Sequence, residues 1–490
     1  MKRIIYATVS TLALLAAATA PAQDNSAEVD QGGENGLVLI EQEKGSGNAA
    51  VAEQNEGAVD SEIRIHQTGT GASATSTQSD GADNVSIIGQ TAGGSALVAQ
   101  TGDGNESNIV QNGNSSAEIF QTAGQGGYVN NQSLISQTGD GSTVTVSQVN
   151  QEAEDTNRSN VFQYGENQSA DVSQNGPRVG STITQQATAN GASATVDQSG
   201  FSHSSTISQA AADASVSVVQ TGIGSGRDSY IPPITHSTSV TQWSSATGSD
   251  ASVFQSGEGN EGHRAIVSQR GEDSSARVAQ FGDGAEQYSL VLQSGAGAAA
   301  SIDQRGEGND ANVTQDGDDT DARLYQQGGF NTAIVDQDGN GASAYVAQIG
   351  DTNSAEVTQS AASLAAVGQV GVGNSASVDQ TGSGNRAGIG QGVSAELAEA
   401  LEGDLGSIGL AYAGNSTATI SQHGTGGDAA ILQTGASHEA SITQEAGTSG
   451  NLALVEQAGT GNLATVLQAS SDNQSFVSQS GSGNIATVAQ

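Results

Sequence analysis

Along most of the chain a small residue, a branched aliphatic residue and a glutamine stand two positions apart, and the triplet returns about every eleven residues. The glutamines run from Gln42 to Gln490, 37 in all, and 21 of the 36 intervals between them are eleven residues long. Two positions before the glutamine stands Val, Ile or Leu in 35 of 37 units, with Ala52 and Ser76 the exceptions; four positions before it stands Ala or Ser in 32. Side chains alternate along a strand with period two, so these three positions share one face. The positions between them vary among Thr, Asp, Ser, Ala, Glu and Arg, as a solvated face does. Two positions after the glutamine stands Gly in 23 of the 36 places where the chain continues, often followed by Gly-Asn, the composition of a tight turn. A strand of about five or six residues plus that turn uses up the repeat and leaves nothing for a helix.

Two such units make one coil. The pattern predicts an all-β chain, a β-solenoid of 22-residue strand-turn-strand coils with two stacked parallel sheets and about 18 coils. The core is expected to be thin, a layer of Val or Ile beside a layer of Ala or Ser, with the amides at its edge. A buried amide without a partner costs about 1–3 kcal/mol, so a lone inward glutamine would be a liability. Repeated at the same place in every coil, each can bond the glutamine above and below it, which only an in-register stack allows. The most regular members of this stacking ladder are Gln304, Gln315, Gln326, Gln337, Gln348, Gln359, Gln380, Gln391, Gln422, Gln433, Gln457, Gln468, Gln479 and Gln490. The phase-locked Val and Ala set the chain apart from a glutamine-rich disordered tract.

Interruptions divide the repeats into 37–220, 242–391 and 414–490. In 221–241 one glutamine is missing and Pro232-Pro233 intervenes; proline cannot donate to a central ladder, so a degenerate coil or loop insertion is expected there. Trp243, just beyond, reads as an exposed or turn-packed ring. Residues 392–413 hold Ser394 to Gly403, where a Ser cap, Leu397 and Leu401 four apart and a terminal Gly predict one short helix.

Composition sharpens this picture. Lys2 and Arg3, the apolar run Ile4 to Ala18, and Ala20-Pro21-Ala22 read as a signal peptide over 1–22, cleaved at the Ala20 and Ala22 motif, with 23–36 a segment of possible export use. No later stretch is long and apolar enough for a transmembrane helix. With no Cys, no disulfide staples the exported chain. The formal charge is −39, with 52 acids against 13 bases, which excludes nucleic acid as a partner because phosphate neutralisation needs clustered positive charge. Outward acids also keep copies apart sideways. The chain stops on Gln490 without a capping helix, proline or charge cluster, so the terminal coil is expected to offer its unpaired edge to another copy.

Catalytic chemistry is not predicted. His66, His203, His236, His263, His423 and His438 lie in different coils without metal-ligand spacing, and there is no H-E-x-x-H and no Gly-x-Ser-x-Gly elbow. The Gly-Asp-Gly turns at 102–104, 139–141 and 282–284 lack the nine-residue calcium-solenoid motif. No enzyme activity, cofactor or metal is expected. Outward residues are too mixed for an ice-binding face.

The unit Gln380-Thr-Gly-Ser-Gly-Asn385-Arg-Ala387-Gly-Ile389-Gly-Gln391 resembles the curlin repeat of curli subunits, and Gln163-Tyr-Gly and Gln422-His-Gly resemble its strand-to-turn junction. The resemblance covers most of Val38 to Gln490. It implies that Asn105, Asn309, Asn331, Asn353, Asn374, Asn385, Asn462, Asn473 and Asn484 join the glutamines in stacking and assembly. It further implies a secreted structural protein that passes through the periplasm and forms or nucleates curli-like functional amyloid fibres of the Gram-negative cell surface and biofilm matrix. Its partners would be its own copies in a homopolymer, a nucleator or partner subunit, and an outer-membrane secretion machinery. The alternative is a soluble or surface-tethered solenoid adhesin or binding scaffold that does not polymerise.

Overall fold

In the computed structural model the described residues are 2–8, 11–17, 24–124, 130–150, 156–223, 236–257, 262–392 and 413–490. The chain divides into two compact units, Met1–Gly248 and Ser249–Gln490. Each is a β-solenoid of parallel strands stacked in two sheets, about 18 coils in all, and no helix occurs among the described residues. The helix expected over 394–403 lies outside them.

In unit 1 the first sheet stacks Leu37–Gln42, Glu62–Gln67, Val85–Gln90 and their successors up to His236–Gln242. The second stacks Ser26–Gln31, Ala49–Gln54, Ala72–Ser79 and onward to Ser215–Ile223. The chain crosses from one sheet to the other at every turn, so each residue stacks on its equivalent one full coil away. Spacings of 12, 13, 11, 12 and 10 residues separate the glutamines from Gln42 to Gln100, yet Gln42, Gln67 and Gln90 pair in register, as do Gln54, Gln78 and Gln100. The turns absorb the difference, because a one-residue slip within a strand would turn every inward side chain outward. Register is also kept across the long 220–242 interval. No strand is lost there: Ser215–Ile223 belongs to the second sheet, and His236–Gln242 pairs with His203–Gln209, Gln242 opposite Gln209. Ahead of the first coil, Lys2–Thr8 pairs antiparallel with Thr11–Ala17 and with Leu37–Gln42.

Unit 2 repeats the plan, from Arg264–Gln269 to Ile485–Ala489 in its first sheet and from Asp250–Ser256 to Gln474–Ser482 in its second. The 393–412 interval does not break the stack. Ser375–Gln380 pairs with Thr417–Gln422 across it, and Arg386–Gln391 with Asp428–Ala436. The inward rows are as the alternation predicts: Ala333, Val335 and Gln337 are at most 1% exposed. Ser76, an exception to the aliphatic rule, is buried with its hydroxyl 2.8 Å from that of Ser86.

At some turns the glycine two places past the glutamine is forced by the stack itself. Gly306 and Gly328 have φ of 106° and 113°, and a Cβ on either would lie 2.3 or 2.2 Å from a glycine carbonyl oxygen of the next coil.

Candidate functional site: glutamine and asparagine ladders

The inward glutamines form one column per sheet. In unit 1 the amide Nε2 of Gln42 donates to Oε1 of Gln67 at 2.8 Å, Gln67 to Gln90 at 2.9 Å, Gln90 to Gln111 at 2.8 Å, and so on to Gln242. In unit 2 one column runs Gln293, Gln315, Gln337, Gln359, Gln380, Gln422, Gln444, Gln468. The other runs Gln280, Gln304, Gln326, Gln348, Gln369, Gln391, Gln433, Gln457, Gln479, all at 2.8–3.0 Å. Each donation points toward the C-terminal coil.

The second amide hydrogen has a different destination. Gln315 Nε2 also donates to the backbone carbonyl of Ala299 at 2.9 Å, Gln337 to that of Asp321 at 3.1 Å, and Gln348 to that of Thr332 at 2.9 Å, each in the facing sheet. Every such glutamine therefore stitches coil to coil and sheet to sheet. This fixes the amide orientation, because a flipped amide would set its oxygen against the facing carbonyl. The bond across to the facing sheet leaves no mark in the sequence pattern.

Eight of these asparagines fall into two groups. Asn309, Asn331, Asn353 and Asn374 precede first-sheet strands and stack Nδ2 to Oδ1 at 3.0–3.1 Å, with each Oδ1 also accepting the next backbone N–H; Asn462 and Asn484 repeat the contact at 3.1 Å. Asn385 and Asn473 precede second-sheet strands instead. Asn385 bonds the carbonyls of Gly382 and Gly424 and accepts from the N–H of Gly427; Asn473 bonds Ser470 and takes the Oδ1 of Asn451 on its N–H. Gln490 also departs from the ladder: its amide accepts from the Ser475 hydroxyl at 2.9 Å and donates to the carbonyl of Gln474. The columns extend where the sequence reading did not look, to Gln31, which donates to Gln54 at 2.7 Å, and to Asn84 and Asn131 on either side of Asn105.

Histidines occupy the asparagine column at several coils, a placement only the coil register reveals. His203 and His236 pair in register with rings stacked at 5.0 Å and 12°. His438 sits between Ser416 and Asn462, its Nδ1 accepting the Asn462 N–H at 3.3 Å and its Nε2 facing the Thr434 carbonyl at 3.0 Å. His263 is bonded alike, to the Gln287 N–H and the Gly282 carbonyl. Both contacts are met by the neutral Nε2–H tautomer. Burial lowers the pKa of His203 and His263, outweighing the backbone hydrogen bonds that raise it. Among the described residues no group of three or more His, Cys, Asp or Glu could hold a metal ion. Trp243 is 47% exposed beside a turn.

A parallel β-solenoid held by continuous amide ladders is the class of protein this geometry defines. The family model of the curlin associated repeat matches residues 189–222, 317–348, 331–360, 361–392, 414–445 and 448–481. The chain is a curlin-repeat protein. No curated protein matches it.

Proposed function

We propose that the protein is a secreted structural subunit that self-assembles coil upon coil into curli-like amyloid fibres of the cell surface and biofilm matrix, or nucleates them. The observation that carries this reading is the single direction of the glutamine ladders. Within each unit every glutamine column has its donors toward the C-terminal coil and its acceptors toward the N-terminal one, so one copy stacked head to tail on another continues the same bonds. A heterologous contact of that kind does not close, and grows as a filament. The curlin repeat, whose family is structural rather than catalytic, supports the same reading.

On this proposal residues 1–22 are the leader, the chain reaches the cell surface through an outer-membrane secretion machinery, and a nucleating or partner subunit shares the fibre. No helix among the described residues is long and apolar enough to cross a membrane. The test is elongation from sonicated seeds, followed by an amyloid dye, with purified chain 23–490. Seeds should abolish the lag and their ends should extend in one direction. Persistent monomer over days with seeds present would overturn the proposal in favour of a non-polymerising adhesin.

A further inference from the structure

On the outer face of the first sheet of unit 1, three neighbouring strands leave a groove. They are Glu106–Gln111, Asn130–Gln137 and Thr156–Gln163, paired in register. The residues that alternate with their inward rows fall into lines across the coils. Glu106, Gln132 and Arg158 form one wall, and Asn108, Leu134 and Asn160 form the floor. Together they line a cavity of about 170 Å³. Pockets for drug-sized ligands run to about 300–1,000 Å³, so this one has room for a single small ring.

The wall is wired in one direction. Arg158 donates to Oε1 of Gln132 from Nη2 at 2.8 Å and from Nε at 3.2 Å, and Gln132 donates from Nε2 to Oε2 of Glu106 at 3.3 Å. The glutamine bridges an acid and a base that stand two coils, about 9.5 Å, apart along the stack. Both keep hydrogen-bonding capacity, Arg158 in its remaining N–H groups and Glu106 in its second oxygen. On the floor the Oδ1 of Asn108 is buried without a partner, and the Asn160 side chain makes no hydrogen bond among the described residues. Leu134 lies between the two amides. The charges of Glu106 and Arg158 cancel. A cation would be drawn to any of the 52 acids, and an anion would be repelled by the formal charge of −39, so neither would select this groove. A neutral polyol ring suits it better. Each hydroxyl both donates and accepts, so neighbouring hydroxyls bond a carboxylate, a guanidinium and amides together while the C–H face of the ring lies on leucine.

We propose that this groove is a carbohydrate-binding site that takes one neutral pyranose residue, free or within a longer glycan. The proposal goes beyond assembly and does not depend on it, because an outward sheet face stays open whether or not copies stack end to end. Ligand-observed saturation-transfer NMR on purified chain 23–490 tests it, with glucose, galactose, mannose, N-acetylglucosamine and their short oligosaccharides as probes. Saturation should pass to at least one neutral probe. Asn160→Leu, which keeps the bulk and removes the amide, and Arg158→Ala should each weaken that binding about tenfold, the worth of one hydrogen bond. Glu106→Gln keeps the shape of the wall and should weaken it too, which guards against a folding defect in the other two. Thr206→Leu, outward two strands further on in the same sheet, should bind as the parent does. No transfer to any neutral sugar, or transfer unchanged in Asn160→Leu, Arg158→Ala and Glu106→Gln, would overturn the proposal. So would a uronate or a zwitterionic dipeptide that binds the groove more tightly than every neutral sugar, because charge would then be what the groove reads.

Discussion

Replacing Gln337 by methionine, which keeps the length and removes the amide, isolates the ladder from core packing. Gln337 is fully buried, donates to Gln359 at 2.9 Å and to the Asp321 carbonyl at 3.1 Å, and accepts from Gln315 at 3.0 Å. The variant deprives the Gln359 oxygen of this donor and leaves one Gln315 hydrogen facing a thioether, while Gln315 keeps its bond to Ala299. Each orphaned buried group costs about 1–3 kcal/mol, and the apolar gain from methionine offsets part of that, for a net loss of about 2–4 kcal/mol. Coils contact mainly their neighbours, so the loss should be local. Amide hydrogen exchange by mass spectrometry should show strands 310–315, 332–337 and 354–359 exchanging about 30- to 1000-fold faster, while strands several coils away change little. The control is Thr314→Met, an outward change on the neighbouring strand, expected within about 0.5 kcal/mol of the parent. If Gln337→Met exchanged no faster than Thr314→Met, the ladder would not be what holds the coils.

Gly328→Ala should destabilise its coil by more than about 2 kcal/mol, since its Cβ would lie 2.2 Å from the Gly350 oxygen at a φ of 113°, whereas Gly89→Ala, whose nearest neighbour is 3.9 Å away, should be neutral within about 1 kcal/mol; equal melting shifts would refute the close-approach argument. Lowering pH should move two regions in opposite directions. The depressed pKa values of His203 and His263 give stability that is present above about 6.5 and lost as pH falls through the folded values, loosening His203–Gln209 and Arg264–Gln269. Asp336 is held above the ordinary carboxylate range by burial and by Asp338 and Asp316, so its contribution is lost as pH rises through the folded value and Thr332–Gln337 should gain protection in acid. Hydrogen exchange corrected for its intrinsic pH dependence, and unchanged in His203→Asn at its own strand, would check the signs; parallel loosening of all three strands would refute them. With 52 acids against 13 bases, added salt at neutral pH should shorten the lag of assembly by screening repulsion between copies, and a lag indifferent to salt would show that charge is not the brake.

Much of this architecture is legible in the sequence because three inward positions repeat with fixed phase: Ala333, Val335 and Gln337 face in wherever the triplet occurs. What escapes is whatever depends on which sheet a repeat belongs to. Consecutive glutamines lie in opposite sheets, so stacking partners are separated by two repeats, and turns of variable length hide the count. Asn374 and Asn385 look alike in sequence, yet one precedes a first-sheet strand and joins a column, and the other precedes a second-sheet strand and caps a turn. His203 and His236, 33 residues apart, meet because they hold the same register position on paired first-sheet strands. Nor does a side-chain period report the bond from Gln337 to the facing Asp321 carbonyl, which depends on how far apart the two sheets sit.

The central claim is that the bonds joining coil to coil within one chain also join chain to chain. Cryo-electron microscopy of fibres grown from purified chain 23–490 tests it most directly. The account predicts an unchanged solenoid with one coil per about 4.8 Å, and both glutamine columns running through the junction between subunits with all amides pointing the same way. Fibres whose subunits meet side by side, or alternate in direction, or refold the triplets into antiparallel hairpins, would contradict it.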